Sequence, residues 1–180
     1  MINPKKNLAF DASWPSPTGI GRVAKEVLDR TDSGWETTKL REGRKNAGIF
    51  TPIDLYHSIN RIQTDLFWSP GFIPPIDCSH CPVVVTVHDL THLHYYRFYH
   101  KLYFNLIIKS LLHKVSAVVT VSDFTRDELL QWSGLSESRV FRIHNAVSDQ
   151  FQPIGAPFNS KRPYIFVCSP VSRVKNVRPL

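Results

Sequence analysis

Two short runs, Val83-Val-Val-Thr-Val87 and Ala117-Val-Val-Thr-Val121, constrain the fold of this chain more tightly than anything else in it. β-Branched residues favour extended backbone, and a strand that is apolar on both faces needs cover on both. Between the runs, Arg97–Lys114 has helical periodicity. Arg97, Lys101, Asn105, Lys109 and His113 recur four apart as one polar ridge. Most of the remaining circumference is apolar, through Phe98, Leu102, Phe104, Leu106, Ile107, Ile108, Leu111 and Leu112.

The same alternation extends along the chain. Asn7–Asp11 reads as a first strand, and Gly19–Arg30 as a helix with Ile20, Val23, Ala24, Val27 and Leu28 on one face. Asp65–Trp68 is a short strand ended by Ser-Pro-Gly. Thr125–Glu128 has the pattern of a capping box, with Ser122 as an earlier start, and Gly134 stops that helix. Val140–Ile143 is another short strand, and Tyr164–Cys168 begins a strand anew after a loop to Pro163. Strands alternating with helices predict an α/β fold, a doubly wound, Rossmann-like parallel sheet. Its ligand site belongs beyond the carboxyl ends of the strands. That rule gathers the loop after Asp11, Ser69–Phe72, His88–His94 and Ser122–Phe124.

In 180 residues, 42% hydrophobic and 12% aromatic content suffices for a sizeable core and argues against disorder. Lys plus Arg outnumber Asp plus Glu by 22 to 15, a net charge of +7, which favours anionic partners. Nucleic-acid binding needs a motif as well as charge, and none is present. The N-terminus MINPKKNLAF lacks a signal-peptide core, and no run approaches the ~18 apolar residues of a membrane span. The expected location is therefore cytoplasmic. Three cysteines make no disulfide framework. Cys78 and Cys81 form a C-x-x-C without the further ligands zinc needs, and read as a reduced pair on a loop.

Pro17–Arg22 is a glycine-containing turn that leads from a strand into a helix. Backbone N–H groups at a helix start favour anions, and glycines let a phosphate or sugar approach closely. The turn is not a full G-x-G-x-x-G signature, and a tight turn without a ligand is an equal reading. His88-Asp89 at a strand end is more specific. A neutral imidazole there can bond a sugar hydroxyl or phosphate, with a nearby carboxylate fixing its tautomer. His92 and His94 read as loop residues near the pocket. The spacing H-D-x-x-H-x-H matches no zinc motif, so no metal is expected. Tyr95, Tyr96, Tyr99 and Tyr103 interleave with the basic ridge of Arg97–Lys114, which offers peripheral contact with an anionic membrane. The wide apolar arc favours a plainer reading, a sheet-covering helix whose ridge faces solvent.

In order, Asp11, Thr18–Arg22, Val83–Asp89, Val121–Leu129, His144-Asn-Ala-Val147 and Tyr164–Asn176 resemble the motifs of the retaining glycosyltransferases of family 4. The resemblance covers nearly the whole chain. It implies a GT-B fold, two Rossmann-like domains with the active site between them. It also implies metal-independent transfer of a hexose from a nucleotide-sugar, which is a substrate, with no cofactor. Carried over by position, residues 1–150 are the acceptor-side domain, 151–163 a linker and 164–180 the start of the donor-binding domain. Gly19, Gly21 and Arg22 would lie against the donor diphosphate. His88 and Asp89 would be the catalytic pair at the donor sugar, and Ser122, Arg126 and His92 would line the acceptor cleft. In the second domain Lys175 matches the lysine that neutralises the leaving diphosphate, with Arg173 displaced by one from the usual arginine.

Three departures accompany the resemblance. Ala146 and Ser169 stand where the family has glycines, and the E-x7-E segment that holds the donor has no counterpart before Leu180. The expectation is an N-terminal portion of a longer enzyme, inactive alone and completed by a C-terminal domain. The acceptor would be a saccharide or lipid-linked molecule of cell-surface polysaccharide synthesis, including lipopolysaccharide, met at the inner membrane face. Two other classes stand beside it. One is a non-catalytic domain that binds a glycan, a membrane or a partner. The other is a metal-dependent hydrolase built on His88, Asp89, His92 and His94.

Overall fold

The computed structural model describes residues 5–16, 18–147 and 163. Met1–Asn145 form one compact unit and Ala146–Leu180 a second. The expected strand Tyr164–Cys168, together with Arg173, Lys175 and Ser169, lies outside the described residues.

The first unit contains strands β1 (Lys6–Asp11), β2 (Trp35–Leu40), β3 (Leu66–Ser69), β4 (Val83–Val87), β5 (Ala117–Thr120) and β6 (Val140–Arg142). All pair in parallel in the order β2-β1-β3-β4-β5-β6. Helices α1 (Gly19–Leu28) and α2 (Thr51–Ile59) flank β2 in the chain. The β4–β5 connection carries α3 (Thr91–His94), α4 (Phe98–Tyr103), a π-helical turn (Phe104–Ile108) and α5 (Lys109–Leu112). Helix α6 (Asp123–Ser133) joins β5 to β6, whereas β3 and β4 are linked by a loop with no helix. This is the expected Rossmann-like α/β architecture, consistent with a GT-B glycosyltransferase domain.

Successive side chains of a strand point to opposite faces, and the core divides accordingly. Ala9, Phe67, Val83, Val85, Val87 and Val118 pack with α2, the π-helical turn, α5 and α6. Leu8, Phe10 and Trp68 pack with Ala24 of α1 on the other face. Burial of each core valine contributes about 1.5–3 kcal/mol. There the Trp68 indole N–H donates to Thr86 Oγ1 at 3.0 Å, which satisfies the polar atom in the valine run.

The structure departs from the sequence reading in three ways. β2 and α2 have no counterpart in it. WETTKL is an edge strand in which only Leu40 is buried, and α2 is short with proline in its first turn. The start of α6 is set by Ser122, whose Oγ accepts from Thr125 N at 3.1 Å, so no capping box begins at Thr125. Gly134 ends α6 in the left-handed conformation with φ 71°, as a C-terminal glycine should. Third, the helix expected over Arg97–Lys114 has a π-helical turn in its middle, and an extra residue in a turn rotates the buried stripe. Phe104, Ile108, Leu111 and Leu112 are buried, while Phe98, Leu102, Leu106 and Ile107 face solvent.

Candidate active site

Strand order reverses between β1 and β3, and at this point an open parallel sheet has its crevice. The loop after β1 carries Trp14, whose indole lies against Gly71 in the loop after β3. A β-carbon on Gly71 would sit 2.7 Å from that ring, so glycine is required for the contact. Phe72 follows, edge-on to Trp14 and 4.3 Å between centroids from His92.

The glycine turn has two separate physical reasons. Thr18 caps α1, its Oγ1 accepting from Gly21 N at 3.1 Å and donating to Pro15 O at 2.7 Å. Gly21 is buried, and a β-carbon there would lie 2.1 Å from Pro15 O. It allows the β1–α1 loop to close on the helix. Gly19 is exposed with open space beside it, so the helix start is approachable there. Gly21→Ala should therefore destabilise the protein by about 1–3 kcal/mol and Gly19→Ala by much less, measured by chemical denaturation.

His88 leaves the end of β4. Its Nε2 lies 2.9 Å from Pro70 O, and a carbonyl only accepts, so Nε2–H donates. In the neutral ring Nδ1 is then an acceptor. The His88 carbonyl receives Thr125 Oγ1 of α6 at 3.3 Å. The expected carboxylate partner is not used. Asp89 is exposed, and its Oδ1 accepts from Thr91 N at 3.0 Å, shaping the start of α3. The Pro70 carbonyl, rather than Asp89, orients the imidazole.

His92 is a packing residue. Its ring stacks on Phe104 at 4.7 Å and 11°, and on Tyr96 at 4.9 Å, with Nδ1 buried and unpartnered. Burial holds its pKa below the ordinary 6.5, opposed by Asp89 and helped by His100. The unfolded chain therefore binds the extra proton. The stability gained from keeping His92 neutral is full above about pH 6.5 and is lost as pH falls below it. His92→Phe keeps the stack and removes the titration. Its thermal stability should fall less than that of the wild type on acidification, by up to about 1.4 kcal/mol per pH unit.

Three of the segments gathered by the sequence thus meet through Trp14–Gly71, Phe72–His92 and His88–Pro70, and Thr125 of α6, next after the fourth, bonds the His88 carbonyl. Residues 23–151, more than half the chain, match the family described as Glycosyltransferase Family 4. The chain belongs to glycosyltransferase family 4. Comparison with curated proteins gave no match, and neither did comparison with solved structures.

Other candidate residues of this family 4 domain lie apart from His88 or serve the frame. Ser122 caps α6. Arg126 reaches from α6 to Glu137 at 3.3 Å, in the turn before β6, and so towards the opposite end of the sheet from His88. Arg22 is exposed on α1. His94 pairs with Glu128. His88, Asp89, His92 and His94 thus engage four different partners, an arrangement that does not support the hydrolase reading. Among the described residues no three His, Cys, Asp or Glu side chains form a metal-holding group. Burial raises the Cys78 thiol to about 11 and also raises Cys81, so both stay protonated near neutrality.

The sequence reading missed Arg41. It follows β2 with φ 60°, in left-handed backbone rare for a non-glycine residue. Its guanidinium is buried, with Nη1 3.1 Å from both Asp11 carboxylate oxygens, Nε 2.7 Å from Asp54 and Nη2 2.8 Å from Lys45 O. Ser13 N also donates to Asp11 Oδ1 at 3.2 Å. Burial raises the Asp11 pKa, against the lowering effect of Arg41. Arg41 thereby ties the carboxyl end of β1 to the loop after β2. These elements, with α1, border a cleft of about 910 Å³ whose lining includes Trp14, Gly21, Lys25, Lys39, Arg44 and Lys45.

Proposed function

We propose that this domain is the acceptor side of a retaining, metal-independent glycosyltransferase. It moves a hexose from a nucleotide-sugar to a saccharide or lipid-linked acceptor in cell-surface polysaccharide synthesis. The observation that carries the reading is the joining of the β1 and β3 loops through Trp14 and Gly71, with His88 bonded to Pro70 of that same β3 loop, where strand order reverses in a family 4 chain. Such a crevice is where open α/β sheets take ligands.

In this reading, the open start of α1 at Gly19 receives the donor diphosphate, because helix N-termini favour anions. His88, held by Pro70, offers Nδ1 to a hydroxyl of the donor sugar. The cleft beside α1, with its lysines, receives the acceptor. Asp89 supports α3 and has no direct part in the chemistry. Leaving-group stabilisation falls to Lys175, with Arg173 two positions earlier in the sequence.

The test is a panel of nucleotide-sugars and saccharide acceptors, assayed with protein purified from its own cell, with and without a chelator. Transfer from one donor that is undiminished by the chelator is expected. Absence of transfer from every donor would move the non-catalytic reading ahead, and loss on chelation would remove metal independence.

A further inference from the structure

We propose that the outer face of α4 and the π-helical turn docks on an anionic lipid bilayer. Phe98, Leu102 and Leu106 lie four apart along the helix and are 79%, 45% and 62% exposed. Tyr95, Tyr99 and Ile107 extend the patch at 69%, 57% and 45%. The Tyr103 hydroxyl, 3.5 Å from Ile49 O, brings the turn before α2 alongside, with Ile49 and Phe50 at 65% and 73% exposed. Single exposed apolar residues are ordinary on a protein surface, but a contiguous aromatic and aliphatic patch marks a contact site.

Charge selects the occupant. From Leu90 to Ser122 the sequence has no Asp or Glu, while Arg97, Lys101, Lys109 and Lys114 recur through it. Of the acidic groups on neighbouring elements, Glu128 of α6 pairs with His94, and Asp54 of α2 with Arg41 and Arg44. Asp127 is exposed on α6. A second copy seated on the same face would bring basic residues together, in a chain of net charge +7. A bilayer face rich in anionic headgroups complements both parts: tyrosines sit at headgroup level, apolar side chains enter the acyl boundary and lysines meet phosphates. Among the described residues no helix is long and apolar enough to cross a membrane, so the contact lies on the surface.

The inference is independent of sugar transfer and tested without it. The full chain is sedimented with vesicles of phosphatidylcholine, and with vesicles of phosphatidylcholine and phosphatidylglycerol in equal parts. Binding to the anionic vesicles is expected, weakened by salt. Phe98→Ser with Leu106→Ser should lower the partition coefficient at least about tenfold. Arg97→Gln with Lys101→Gln, a surface change that leaves the apolar patch intact, should lower it about fivefold per charge. Equal binding to both vesicle types, or unchanged binding by both double variants, would overturn the proposal. So would self-association abolished by Phe98→Ser in a protein that binds no vesicles.

Discussion

Arg41→Ala is expected to lower the free energy of unfolding by about 3–5 kcal/mol, measured by chemical denaturation. The Arg41 and Asp11 side chains are only 3% and 2% exposed. Removing the guanidinium leaves Asp11 buried without its cation, with the Ser13 amide and hydroxyl still beside it. Breaking a buried pair on one side costs far more than the pair contributes, because one charge remains out of water. Arg41→Gly separates the backbone from the charge. It loses the same ion pairs but relieves the left-handed conformation, and should be about 1 kcal/mol more stable than Arg41→Ala. Equal stability of the two variants would mean that φ 60° carries no strain.

The second large effect is catalytic. His88→Ala should lower kcat/KM about 100-fold, a loss of about 3 kcal/mol, with little change in folding stability. The ring is half-buried at the carboxyl end of β4, and its side-chain hydrogen bond among the described residues goes to a loop carbonyl. Asn and Gln in place of His88 retain an N–H for Pro70 and an oxygen acceptor. One of them should recover part of the activity if His88 acts by hydrogen bonding. Asp89→Asn should change the rate by less than about threefold, since Asp89 meets the Thr91 amide rather than His88. An Asp89→Asn defect as large as that of His88→Ala would contradict this division of roles.

The valine runs made the sheet legible, because a strand apolar on both faces can only be covered on both sides. Once the sheet was parallel, its carboxyl ends placed His88 beside the β1 and β3 loops. WETTKL was not legible as a strand, since at the edge of the sheet only its Leu40 is buried and no apolar pattern marks it. Arg41 was hidden for a different reason. Nothing local to an arginine after a strand signals that it will fold inward onto Asp11, thirty positions away. The helix over Arg97–Lys114 was legible as a helix, but not which side it buries. A π-helical turn at Phe104–Ile108 sends half of the apolar arc outward, and no spacing in the sequence announces it.

The central claim is sugar transfer with retention, and the anomeric configuration of the first-formed product tests it most directly. Proton NMR of the reaction mixture, with the donor found in the panel and protein from its own cell, reads that configuration before mutarotation can blur it. The account predicts a product with the same anomeric configuration as the donor, formed about 100-fold more slowly by His88→Ala. An inverted product, or a retained one formed equally fast without His88, would contradict it.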